Sequence, residues 1–468
     1  MILGRRPLLL SLGCAALVGC KRKREPITAE VWDEEPAIAR AEAIGALAPP
    51  WPSPSRGQLD NGLITFWLHE PDSASMRIRL LVPTSAGGNA VPGEGVAVVA
   101  EHARFDWQRR VQKLGIAVAI EHGPNRFELV ATGSDERLAA TLGALRTTLA
   151  TQTPTGIEGA RERIGDQIPA LGNLEAAASA ALRRLIGTDD VVHADKLRGL
   201  SRAELHGHWQ TLADPQRAVL VVHSGTPAES AKAELRKLAE AWRGAEKRGA
   251  GTTLVDQATA RLGRRAVPKS TGTRLLAQPP TPMIIAAGGK GAPTLVLART
   301  IALENARERA IARLAQRVAQ EELDASLVIS GNVAVFMVSA NLGRSAVDKD
   351  VQRTVDELAA IARARQPRQR LFQAVQLWLG ARVVESSLAG EDWTRLFATA
   401  IDLADADTAI AGALANDAKH QLDVGPDELE AWTRKWIDPR QGEPGWAWAA
   451  AGLDAAASKK IEKLVPLA

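Results

Sequence analysis

Apolar and polar positions alternate with a period of two from Leu63 to His69 and from Met76 to Val82, which predicts two strands. The period then lengthens. From about Glu94 to Leu114 the apolar residues recur at helical spacing, and strands resume around Ile116 to Ile120 and Phe127 to Thr132. Asp135 opens a helix in which Leu138, Leu142, Leu145 and Leu149 form one apolar face, because side chains three and four positions apart lie one above another. Further helices follow. Ala203 to Trp209 then leads through Asp214-Pro215 into the strand Arg217 to His223, which feeds a helix with Ala231, Leu235, Leu238 and Trp242 on one side.

This order recurs after a break. Residues 244–270 are rich in Gly, Arg and Lys and poor in large apolar side chains, so they read as a linker. Beyond it, a strand near Leu295 to Thr300 precedes a long helix from about Leu303 to Leu323. Strands follow at Leu327 to Ser330 and Val333 to Ala340, then a helix with Val347, Val351, Val355 and Leu358 inward. Near the end Leu429 to Ile437, Asp438-Pro439 and Trp446 to Ala449 repeat the first half's helix, turn and strand. The recurrence points to an internal duplication. The expected fold is α+β, with two related halves over residues 59–243 and 271–468, each a mostly antiparallel sheet with helices packed on it. Such a linker makes a modest interface and hinge motion between the halves the default expectation. A hydrophobic content of 46% and a charged content of 24% are ordinary for globular domains.

The first 58 residues carry a different message. Arg5 and Arg6 precede an apolar run from Pro7 to Val18, shorter than the roughly 20 residues of a membrane-spanning helix. Leu17-Val18-Gly19-Cys20 then supplies small residues for cleavage. Residues 1–20 thus read as an export signal. The tetrapeptide resembles the lipobox of bacterial lipoproteins, which implies that Cys20 is acylated and anchors the chain to a lipid bilayer. Cys14 lies in the segment to be removed, leaving no thiol for a disulfide or a thiolate-held metal. Lys21 to Arg24 would sit against anionic headgroups. Lys21, in place of an aspartate after the lipid-bearing cysteine, favours the outer membrane facing the periplasm. From residue 21 to 58 the chain is charged, then Ala- and Pro-rich, a tether that holds a folded body off a surface. The formal net charge is +4, but residues 1–24 hold six Lys/Arg and no acid, so the body carries −2. Nothing in that balance favours nucleic acid.

Candidate chemistry concentrates in Gly95 to Phe105, which contains Glu101-His102 on the long helix. A Glu-His pair on a helix is common and by itself carries little weight. The surroundings add to it: Leu59-Asp60-Asn61-Gly62-Leu63, then the strand Met76 to Val82, the helix, and strand, strand, helix beyond. In that order the chain resembles the insulinase/pitrilysin-type zinc metallopeptidases, the inverzincins, whose motif is His-x-x-Glu-His on a helix. Here it reads Val98-Val99-Ala100-Glu101-His102, and the first histidine is missing. A catalytic zinc is usually held by three protein ligands, with a fourth position for the water. The intact motif places two imidazoles four positions apart on one face, and the glutamate between them acts as general base. Valine has no lone pair to offer. The family's third ligand, a glutamate, falls within the stretch Ile157 to Gln167. An ungapped placement puts Gln167 there, with Asp166 or Glu162 as alternatives.

The resemblance implies two halves facing across a cavity, with Glu101 a remnant general base and His102 a remnant ligand. Active relatives use an arginine and a tyrosine of the second half to hold substrate. Arg382 and Arg395 lie in that region, but the chain contains no tyrosine. Where relatives carry Asn-Ala on the strand lining the cleft, this chain offers Ala119-Ile120. The expected protein is therefore catalytically inactive and has no cofactor, and it binds an extended polypeptide or pairs with a related active peptidase subunit. The alternative is an active zinc endopeptidase that recruits Glu158, Glu162 or Asp166 beside His102. Ile116 to Ile120 is the expected docking edge, unless it is an interior strand paired on both sides. His122, His193, His206, His208, His223 and His420 are scattered. His206 and His208, two apart on a helix, point to different faces and cannot share an ion. Gly288-Gly289-Lys290-Gly291 lacks the phosphate-loop spacing.

Overall fold

A computed structural model describes residues 54–243 and 283–453, apart from the internal stretches 87–88, 124–125, 152, 167–172, 175–176, 179–180, 182–191, 193, 286–291, 331–332, 344–345, 376–392, 404–409 and 441–445. Gln167, Cys20, His193, Arg382, the glycine run at 288–291 and the linker 244–270 lie outside the described residues.

The first half runs β1 (Ser55–Gln58), β2 (Ile64–His69), β3 (Ser75–Pro83), a short hairpin of β4 (Ser85–Ala86) and β5 (Asn89–Ala90), and α1 (Gly93–Val111). It continues with β6 (Ala117–Gly123), β7 (Arg126–Ser134), α2 (Leu138–Leu149), α3 (Ile157–Gly165), α4 (Ala194–Gly199), α5 (Arg202–Leu212), β8 (Val219–Ser224) and α6 (Ala228–Ala241). The second half has β9 (Met283–Ile285), β10 (Thr294–Ala302), α7 (Ala306–Gln320), β11 (Asp324–Ser330), β12 (Val333–Asn341), α8 (Val347–Arg363), α9 (Trp393–Leu403), α10 (Ile410–Leu422), α11 (Pro426–Trp436) and β13 (Trp446–Ala451).

The duplication extends to strand order. The first sheet runs β1-β2-β8-β3-β7-β6 and the second β9-β13-β10-β12-β11. In each, the last strand of the half pairs in parallel with one neighbour, β8 with β2 and β13 with β9, while the other pairings are antiparallel. The turns match as well. Asp214 accepts a hydrogen bond from Gln216 N at 3.1 Å and Asp438 one from Arg440 N at 2.9 Å, each carboxylate fixing an Asp-Pro turn before the closing strand.

Two expectations need correcting. The tether was expected to reach residue 58, but Ser55–Gln58 pairs with β2, so the folded body begins inside it. The boundary between the halves is also more apolar than the linker implied. Helix α9 lays Phe397, Ala398 and Ala400 on Ile64, Phe66, Leu68, Leu81, Val219 and Val221 of the first sheet. In return, Ala177 and Ala181 of the first half pack on Val296, Ala298, Val335, Ala447 and Ala449 of the second. Each sheet buries one face under its own helices and has its other face covered by a segment of the opposite half. Such apolar burial is worth about 25 cal/mol per Å2 removed from water, which opposes free hinge motion.

Candidate functional site

Helix α1 carries the motif, and its packing decides what the motif can do. The helix starts after Pro92 with Glu94 in its first turn. After a short 3-10 turn, Gly115 in the left-handed region (φ 73) redirects the chain into β6. Val98 is fully buried in the first half's core, in the same apolar cluster as Trp209. His102, one turn further on, meets the Trp209 ring edge to face at 5.3 Å. Burial pushes its imidazole pKa down, partly offset by Asp106 and by a backbone hydrogen bond with Gly156.

Glu101 faces a different environment. Both of its oxygens are taken by Arg104, at 2.8 Å to Nε and 2.8 Å to Nη2, and Arg163 of α3 adds a contact from Nε at 3.2 Å. Arg163 also lies over the Phe105 ring, 3.9 Å from its centroid. Positive charge thus stands beside Glu101, supplied by guanidinium groups. The described residues do not fit a catalytic zinc: Val98, buried in the core, has no lone pair to offer, and the Glu101 carboxylate is engaged by Arg104 and Arg163. Among the described residues no three His, Cys, Asp or Glu side chains are grouped to hold a metal ion. The substitute donors do not converge on His102 either. Glu162 and Asp166 are exposed, and Glu158 pairs with Arg202 at 3.6 Å.

Beside the motif lies a recess of about 190 Å3 lined by Thr84, Gly93, Val96, Ala97, Ala100, Glu101, Ile120, Arg126, Ile164 and Val192. It is lined by residues of both α1 and β6, and β6 is an edge strand paired only with β7 among the described residues. Among the described residues Ile116 to Ile120 is therefore not an interior strand, and the strand proper runs from Ala117 to Gly123. Behind the edge sits a buried charged group that sequence reasoning missed. Arg79, fully buried on β3, reaches Glu121 at 2.7 Å, Glu128, and Thr394 Oγ1 of α9 at 3.2 Å. Burial would raise the Glu128 carboxyl, but Arg126 and Arg79 outweigh it and hold the pKa below the usual range. The alternation of Arg77 and Arg79 with apolar residues on β3 was the available signal, because an arginine at a strand position facing another layer needs partners.

The remaining candidates stay apart. His208 packs on α1 where a Cβ at Gly95 would stand 2.5 Å from its ring. His223 bonds Glu70 at 2.8 Å. Arg395 is exposed. No helix among the described residues is long and apolar enough to cross a membrane.

Solved structures share this duplicated architecture, with a long helix packed beside an edge strand. The chain is similar to a protease from Helicobacter pylori (TM-score 0.63, 13% identity, 85% of this chain and 99% of that one). It is also similar to a peptidase M16 inactive domain from Pseudomonas fluorescens (TM-score 0.62, 11% identity, 86% and 99%). A third is the first half of the periplasmic protease PqqL from Escherichia coli (TM-score 0.58, 15% identity, 88% and 95%). No protein-family profile and no curated protein sequence matches the chain. The fold is thus that of the M16-like, insulinase-type peptidases, as the motif resemblance implied.

Proposed function

We propose that this chain is a non-catalytic polypeptide-binding protein with the architecture of an M16-like peptidase, held at a membrane through acylated Cys20. The observation that carries the reading is the open edge of β6 beside Glu101, whose carboxylate is already occupied by Arg104 and Arg163. An extended polypeptide adds to such an edge through backbone hydrogen bonds that need no particular sequence, and the adjoining recess receives a side chain. A related active peptidase subunit is the second partner class. The existence of an inactive M16 domain among structures of this fold supports a life for the scaffold without catalysis. The lipid anchor, the outer-membrane location facing the periplasm and the absence of a cofactor belong to the same proposal. The periplasmic setting of PqqL supports the compartment.

The experiment is hydrogen exchange of the full chain with and without extended peptides. Protection is expected at Ile120 and His122, with no peptide cleavage and well under one equivalent of zinc in the purified protein. Cleavage that requires a stoichiometric metal would overturn the reading.

A further inference from the structure

The outward edge of β6 is only half open. The Gln108 side chain of α1 accepts from Val118 N at 2.6 Å through Oε1, and its Nε2 donates to Ile116 O at 2.9 Å. In an antiparallel pair, backbone groups point alternately toward the partner and away from it. The groups of Ile116 and Val118 that Gln108 holds therefore face away from β7, as do those of Ile120 and His122. One primary amide satisfies an acceptor and a donor on successive outward positions, as a residue of a neighbouring strand would. The second half repeats the device in reduced form: Gln320, the last residue of α7, donates to Ala325 O of its edge strand β11 at 2.9 Å.

We infer that Gln108 acts as a stop for strand addition, confining a guest polypeptide to the outward groups of Ile120 and His122 and so setting its register. This rests on the polypeptide-binding reading and adds what that reading lacks, a length limit and a specificity position. Cross-strand neighbours share a face. A guest residue directly opposite Ile120 therefore projects to the side of Ile120, into the recess walled by Val96, Ala97, Ala100 and Ile164. A mainly aliphatic wall of that size takes one aliphatic side chain. The guest is thus a short extended segment with an aliphatic residue at that position. Neighbouring guest residues alternate to the opposite face, where Arg79 and Glu121 lie. Gln108 is a positioning residue and touches no reacting atom.

The test uses the full chain and its Gln108→Met variant, which keeps the side-chain length and loses the amide. The probes are labelled Val/Thr peptides of four and eight residues with one central leucine. Without peptide, the Val118 amide should exchange slowly in the parent and quickly in Q108M; slow exchange in both overturns the stop. With peptide, the parent should bind both lengths equally. Q108M should bind the longer peptide about tenfold more tightly, since two or so further backbone hydrogen bonds become available. If the parent gains affinity with length as the variant does, Gln108 sets no limit and strand addition stands without it. If neither protein binds either peptide, the polypeptide-binding reading falls and the inference falls with it. Replacing the central leucine by aspartate should weaken binding to both proteins; indifference to that change overturns the assignment of the recess.

Discussion

Val98 and Glu101 are each held by their neighbours, Val98 by the apolar core and Glu101 by Arg104 and Arg163. Restoring the imidazole with Val98→His alone places a larger, polar ring at a fully buried core position, and overpacking of this kind costs about 1–3 kcal/mol. We expect lower stability in chemical denaturation and no saturable zinc in calorimetry, because Arg104 and Arg163 still hold Glu101. Arg163→Met removes one partly exposed ion pair and should cost about 1 kcal/mol or less. A pH dependence also belongs to single residues. Burial lowers the pKa of both His102 and His208 in the folded state, so the unfolded chain binds protons more readily. Their contribution is fully present above the ordinary histidine value near 6.5 and is lost as pH falls below it toward the lowered folded values. Thermal melts should show the midpoint falling on the acid side of neutrality. His208→Gln should make that fall shallower while His102 keeps its share.

Among the elements, the edge strand and helix α9 carry the most consequence. Val118→Pro would remove an N–H that Gln108 already holds, so its main effect is on the α1–β6 contact and less on a guest strand. The sharper probe of the edge is Ile120, whose backbone faces outward and whose side chain lines the recess. For α9 the anchor is Phe397, fully buried with its ring 5.0 Å from that of Phe66 on β2. Phe397→Ala should cost about 3–5 kcal/mol in denaturant unfolding. Because the cavity opens between halves, limited proteolysis should reveal loosening of both together.

Across the whole molecule, reciprocal coverage makes the halves interdependent. Residues 54–243 alone would expose the sheet face formed by Ile64, Phe66, Leu68, Val219 and Val221, an apolar patch that a soluble monomer rarely tolerates. We expect this fragment to aggregate when expressed alone and to become soluble when co-expressed with 271–468. Independent folding of either fragment would show that the cross-half contacts are dispensable. The anchor is tested at the same scale: Cys20→Ser should leave a longer, unprocessed precursor, and maturation of the variant like the parent would refute the lipobox reading.

Periodicity along the chain determined the element order and the duplication, because helix and strand spacing are local properties of the backbone. The Leu138 to Leu149 face, the Asp214-Pro215 and Asp438-Pro439 turns and the missing first histidine were all legible there. Where polarity blurred the alternation, boundaries slipped. Strand β11 begins at Asp324, in what read as the loop between a helix ending near Leu323 and a strand starting at Leu327, and β1 lay within a Pro-rich stretch. Contacts between distant residues were beyond reach. Arg79 meets Thr394 across 315 positions and Arg163 meets Glu101 across 62, and no local pattern encodes which surfaces will be brought together. Even Gln108, ten positions from Val118, becomes a stop only because α1 packs along an edge that the sheet order leaves open. The tertiary structure alone decided these pairings, since a hydrogen bond or ion pair depends on positions set by the packing of the whole core.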